Sequence, residues 1–166
     1  MSGMEWVLDP CDFVTLGTHG VPGQRLFLFQ AGASGLIVTM KIEKHQAIAL
    51  ARALATALEG LGRPGTLPED VELVEPAEPA FRVGEVELLL DAGDEGLVIV
   101  AMEDERDRPD PSVAQLHLTR EQAARLAIRI AEVVEQGRPT CPLCGYPIDP
   151  GGHACPRTNG HHAPAL

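Results

Sequence analysis

Cys141-Pro142-Leu143-Cys144-Gly145 has the C-x-x-C spacing of a metal knuckle, with a glycine where the turn tightens. Eight residues on, His153-Ala154-Cys155 follows a Pro150-Gly151 turn signal. Residues two apart in extended chain point to the same side, so His153 and Cys155 form a second pair. Three thiolates and one imidazole make a closed tetrahedral donor set for zinc, Cys141, Cys144, His153 and Cys155. His161 and His162 lie close enough to replace His153, but His153 sits beside Cys155 with its turn already supplied. A redox C-x-x-C normally opens a helix, and Pro142, Pro147, Pro150 and Pro156 forbid a long one here. A disulfide leaves one of these three cysteines odd. Four protein ligands leave no open position, so the expected zinc is structural rather than catalytic.

The remaining chemistry-bearing residues are more scattered. Cys11, the fourth cysteine, lies between Asp9 and Asp12, which oppose a thiolate; it reads as a small buried side chain rather than a nucleophile. His19 stands in a Gly-rich stretch and reads as exposed. His45 and His117 occupy equivalent places at two strand–helix junctions, where paired imidazoles facing each other would act on phosphate or metal, and where two polar rim residues would look the same. Residues 103–110 are dense in carboxylates but lack the glycine of a calcium-binding helix–loop–helix, so a solvated loop is expected. The nucleophile-elbow, P-loop, zinc-protease and dinucleotide-binding motifs are all missing.

A chain of 166 residues, 45% hydrophobic, can bury a core, and with 4% aromatics that core must be aliphatic. Net charge is −11. The carboxylates concentrate before residue 137, so the body repels phosphate backbones and nucleic-acid binding is disfavoured; the tail alone lacks a basic cluster. Two lysines against 11 arginines, with abundant Ala, Gly and Pro, suggest a GC-rich bacterial genome. The first residues form no signal peptide, and no run approaches the ~20 apolar residues of a membrane span. A cytoplasmic protein is expected, where free thiols and zinc sites persist.

The elements that must position these residues follow from hydrophobic period and turn residues. Trp6–Leu8 reads as a short strand or anchor. Strands are expected at Phe13–Thr18, Arg25–Ala31 and Leu36–Glu43, then a helix at Lys44–Leu61 with an apolar stripe through Leu50, Leu54 and Leu58. Residues 63–80, acidic and Pro-rich, read as a linker, with Val71–Val74 as a candidate edge strand. Strands return at Phe81–Asp91, Leu97–Glu103 and Val113–Leu118. Thr119 and Gln122 form a capping box opening a second helix that runs to about Gln136. The turns Ala31-Gly32-x-x-Gly35-Leu36 and Ala92-Gly93-x-x-Gly96-Leu97 match, and Lys44-His45-Gln46-Ala47 lines up with Arg120-Glu121-Gln122-Ala123. The expected fold is therefore α+β. Two strand–hairpin–helix repeats, 1–62 and 81–138, form a mainly antiparallel sheet of six or seven strands with two packed helices. The linker 63–80 joins them and a zinc-binding tail, 139–166, follows. Leu143, Tyr146 and Ile148 are its apolar residues and should face the body at the end of the second helix.

The tail motif, Cys-Pro-Leu-Cys-Gly … Asp-Pro-x-Gly-His-x-Cys-Pro-Arg-x-Asn-Gly, resembles that of a bacterial, mainly actinobacterial, family known only as a domain of unknown function (number three-zero-nine-zero). Phe81-Arg82-Val83-Gly84, the Gly-Arg-Pro before Cys141, and Asp9-Pro10-x-Asp12 with Gly17 fit as well. The resemblance spans nearly the whole chain. It implies the four ligands Cys141, Cys144, His153 and Cys155, leaves His161 and His162 outside the motif, and implies no activity. With no catalytic constellation in view and a closed metal site, the residues point to a non-enzymatic binding or adaptor module with a protein partner. The alternatives are a hydrolase working through an inter-repeat cleft with His45 and His117, and a nucleic-acid binder acting through the tail.

Overall fold

The computed structural model describes residues 2–21, 23–91, 93, 96–135 and 142–143, and the backbone of 153–154 and 162–163. Three strands, β2 (Phe13–His19), β3 (Leu26–Ala33) and β4 (Leu36–Ile42), lead into helix α1 (Lys44–Glu59). Three more, β5 (Phe81–Leu90), β6 (Leu97–Glu103) and β7 (Val113–Leu118), lead into α2 (Arg120–Glu135). A short β1 (Glu5–Leu8) precedes them all. The architecture is mixed α+β, as expected: one seven-stranded sheet ordered β1-β7-β6-β5-β4-β3-β2, with two helices. Its ladders are antiparallel except where β4 meets β5 and where β1 meets β7.

Connectivity forces the sheet to roll. Strands are ~4.8 Å apart, so the end strands of a flat seven-stranded sheet would be about 29 Å apart. Here the end strands β1 and β2 are joined by residues 9–12 alone, and five Cα–Cα steps of 3.8 Å reach at most ~19 Å. The link is fastened on both sides: the Cys11 amide donates to His117 O of β7 (3.0 Å), and the Asp12 amide to Gly32 O of β3 (2.7 Å). Trp6 of β1 stacks on Phe81 of β5, with ring centroids 5.7 Å apart.

The rolled sheet buries Leu8, Leu16, Phe29, Met40, Ile99 and Leu116 on its inner face. The helices pack on each other and add Leu50 and Leu54 from α1 and Leu126 and Ile130 from α2, spaced i, i+4 on one stripe each. Each helix is fixed at its start by a glutamine. The Gln122 carbonyl accepts from the Thr119 amide (2.9 Å), Thr119 Oγ1 accepts from the Gln122 amide (3.1 Å), and Gln122 Nε2 donates to Cys11 O (2.8 Å). Gln46 likewise accepts from the Glu43 amide (2.8 Å) and donates to Val83 O and Gly84 O (3.1 Å each).

Two expectations need correction. The matching Ala-Gly-x-x-Gly-Leu turns do not join corresponding strands: the first links β3 to β4, the second β5 to β6. Tight hairpins ask for left-handed residues wherever they occur, as at Ser34 (φ 53°) and Gly35 (φ 82°), so such turns recur without shared ancestry. The stretch Val71–Val74 is no sheet strand either. It belongs to a strap, residues 65–77, that lies across α2 and the outer face of β2 and β3. There the side chain of Gln30 replaces a neighbouring strand, donating to Val74 O (3.0 Å) and accepting from Val74 N (2.8 Å). The strap buries a row of polar residues, Thr15, Gln30 and Thr39, that would otherwise face water.

Candidate functional site

The expected zinc ligands Cys141, Cys144 and Cys155 lie outside the described residues, as does the side chain of His153. What is described of the tail is backbone: His153–Ala154 pairs antiparallel with His162–Ala163, Ala154 opposite His162. Three thiolates and an imidazole suit Zn²⁺ by chemistry alone, since soft sulfur ligands favour it over the hard cations. Leu143 keeps 51% of its surface open; Tyr146 and Ile148, the other apolar residues expected to face the body, lie outside the described residues.

In the body, Cys11 is buried at the link between β1 and β2, its thiol directed at Leu8 O. Burial, then the charges of Asp12 and Asp9, push its pKa up to about 12, against a lowering by the His117 backbone. A thiol held protonated is no nucleophile at neutral pH. His117, on β7, lines a cleft of about 200 Å³ with Asp9, Asp91, Thr119, Arg120 and Glu121. Its Nδ1 is buried, without a hydrogen bond, 3.7 Å from Asp9 Oδ2. His45 is exposed on the first turn of α1, and the cleft of His117 does not include it. The imidazole and carboxylate have the residue types of an acid–base pair but stand beyond hydrogen-bond reach of each other. Thr119, the hydroxyl of this cleft, is engaged in the α2 cap, and Glu121 accepts from the Gly65 amide of the strap (2.9 Å).

His19 meets Glu75 of the strap at 2.7 Å, and that hydrogen bond is the main reason the Glu75 carboxyl sits below its usual range. The carboxylate-rich loop after β6 is ion-paired. Asp104 binds Arg106 (2.6 Å), which is the main cause of its carboxyl falling far below the usual range; Asp107 binds Arg82 (2.8 Å). Among the described residues no group of His, Cys, Asp and Glu is arranged to hold a metal ion, and no helix is long and apolar enough to cross a membrane.

Sequence reading missed one site. Between α1 and β5 runs an apolar groove of about 350 Å³, lined by Gln46, Ala49, Leu50, Ala53, Val86 and Leu88. A usable signal was present: Phe81–Leu90 is the longest strand, longer than its neighbour Leu36–Ile42 can cover.

Comparison with curated proteins finds no match, and none is found among solved structures. A family model does match, over residues 6–155, ending on the last proposed ligand and short of His161 and His162. By that match, which takes in most of the chain, the protein belongs to the family described as "Protein of unknown function (DUF3090)".

Proposed function

We propose that this protein is a non-enzymatic binding module of the cytoplasm, recognising a protein partner, whose tail is closed by one structural zinc. The observation that carries the reading is the donor set Cys141, Cys144, His153 and Cys155, which fills a tetrahedral metal without an open position. The family match supports it by including all four residues. The body adds support of a different kind. Its one described free thiol is held protonated, and beside the His117–Asp9 pair, the feature that argues for hydrolysis instead, the hydroxyl among the described residues of the cleft, Thr119, is taken up in the α2 cap. Net charge −11 opposes nucleic acid as the partner.

In this reading the body is two copies of one strand–hairpin–helix unit. Twin glutamine-fixed helix starts and the two parallel ladders, β4 with β5 and β7 with β1, support that division. The tail has few apolar residues of its own, so the metal supplies most of its order. Elemental analysis and native mass spectrometry of the untagged full chain are expected to find one zinc. Cys141→Ser is expected to lose it and to lose amide protection across the tail while the body stays protected. Metal-free protein with a fully protected tail overturns the reading.

A further inference from the structure

The long strand β5 is paired on one side only for most of its length. β4 meets it at Phe81 and Arg82 and then gives way to α1. Asp91 N donates to Gly96 O, so alternation along the β5–β6 ladder sends the N–H and C=O groups of Val86, Leu88 and Leu90 to the open side. That side is the apolar groove against α1. Val86 and Leu88 are half-buried along it, while Leu90 is 61% exposed.

The other end of the sheet shows what such a groove takes. There α2 flanks the outer edge of β2, and the chain's own strap fills the space. Arg125 donates to Pro68 O (2.9 Å), and Arg129 binds Asp70 (2.8 Å) and Leu16 O of β2 (2.9 Å). Superposing the two helix starts, Gln46 on Gln122, sets Ala49 on Arg125 and Ala53 on Arg129. So α1 carries two small, exposed side chains where α2 carries the two arginines that hold an acidic strap. The charge also reverses: exposed Glu85 lines the groove, exposed Glu87 follows two residues along the same strand, and no chain segment described lies in it.

We propose that the α1–β5 groove is a docking site for an extended peptide of a partner protein, alternating apolar and basic residues, which adds as a strand to the free edge of β5. Its main chain pairs with Val86, Leu88 and Leu90, its apolar side chains enter between Leu50 and Leu88, and its cations meet Glu85 and Glu87. The proposal rests on the binding-module reading and names the partner's chemistry. A second copy of this chain is the poorer occupant, since pairing β5 with itself would bring Glu85 and Glu87 against their own kind.

The test uses zinc-loaded full-length protein and a fluorescein-labelled peptide, Arg-Val-Arg-Leu-Arg-Val-Ser. Controls are the same peptide with Glu for Arg, and one N-methylated at alternate residues so that it cannot extend a ladder. Anisotropy is expected to show the basic peptide bound at least about tenfold more tightly than either control. Exchange of the Val86, Leu88 and Leu90 amides should slow on binding. Ala53→Arg, a change on an exposed helix face, is expected to close the groove and abolish binding. Glu85→Lys with Glu87→Lys should shift preference to the acidic peptide. Equal binding of the N-methylated peptide, or binding indifferent to Ala53→Arg, overturns the proposal. So does protection of these amides without peptide, through a dimer seen by sedimentation or through the chain's own tail. Zinc content measured on the same samples separates the two ideas: zinc retained with no peptide bound sinks the groove alone, and peptide bound without zinc sinks the metal alone.

Discussion

Cys11 shows how far a single residue can be read in advance. Flanking Asp9 and Asp12 already oppose a thiolate, and the fold adds burial as the larger cause, raising the thiol from 9.0 to about 12. A folded pKa raised above the unfolded value gives stability that is fully present below about pH 9 and is lost as pH rises toward 12. Urea midpoints measured across that window are expected to fall more steeply for the wild type than for Cys11→Ala. A parallel decline in both would mean that the thiol does not carry the effect. Gln30 was not legible in the same way. A glutamine inside a strand reads as a surface residue, and nothing local says that a distant segment will lie on it. Its side chain is fully buried and makes three hydrogen bonds, to Thr39 Oγ1 and to both backbone groups of Val74.

At the scale of elements, the strands and helices were legible because their apolar periods are regular and their ends are marked by glycine or by a capping box. The strap was not, because its order comes from side chains elsewhere: Gln30, Arg125, Arg129 and Glu121. Proline-rich and acidic, it has the composition of a linker and the contacts of a bound peptide. Its dependence on Gln30 gives a measurable expectation. Gln30→Leu removes one buried and two part-buried hydrogen bonds at roughly 1 kcal/mol each, for a loss of about 2–3 kcal/mol. Chemical denaturation gives the magnitude, and hydrogen exchange at Val74 gives the place. Unchanged protection at Val74 in that variant would show that the strap is held by its arginines alone. The α1–β5 groove escaped sequence reading for a related reason: it exists because β4 ends before β5 does, a relation between two elements rather than a property of either.

For the molecule as a whole, fold class and strand number were legible, and the rolling of the sheet was not. Nothing in the short Asp9–Asp12 stretch announces that it joins the two ends of one sheet. Parallel pairing of β1 with β7 is a contact between chain ends, and contacts so remote in sequence leave no local pattern. The donor set of the tail is the reverse case, proposed from spacing alone.

The junction of β1 with β7 also sets an order of events. Met4 and Ser112, hydrogen-bonded at 3.1 Å, are 108 residues apart, so β1 has no partner until nearly all of the body has been synthesised, and closing that loop carries a high entropic cost. Trp6, the sole tryptophan, sits on this seam with its ring against Phe81. The protein thus carries an intrinsic optical reporter of its slowest assembly step. In stopped-flow refolding, the tryptophan emission is expected to reach its native value after far-ultraviolet circular dichroism has done so. Coincident traces would mean that the seam forms together with the rest of the sheet.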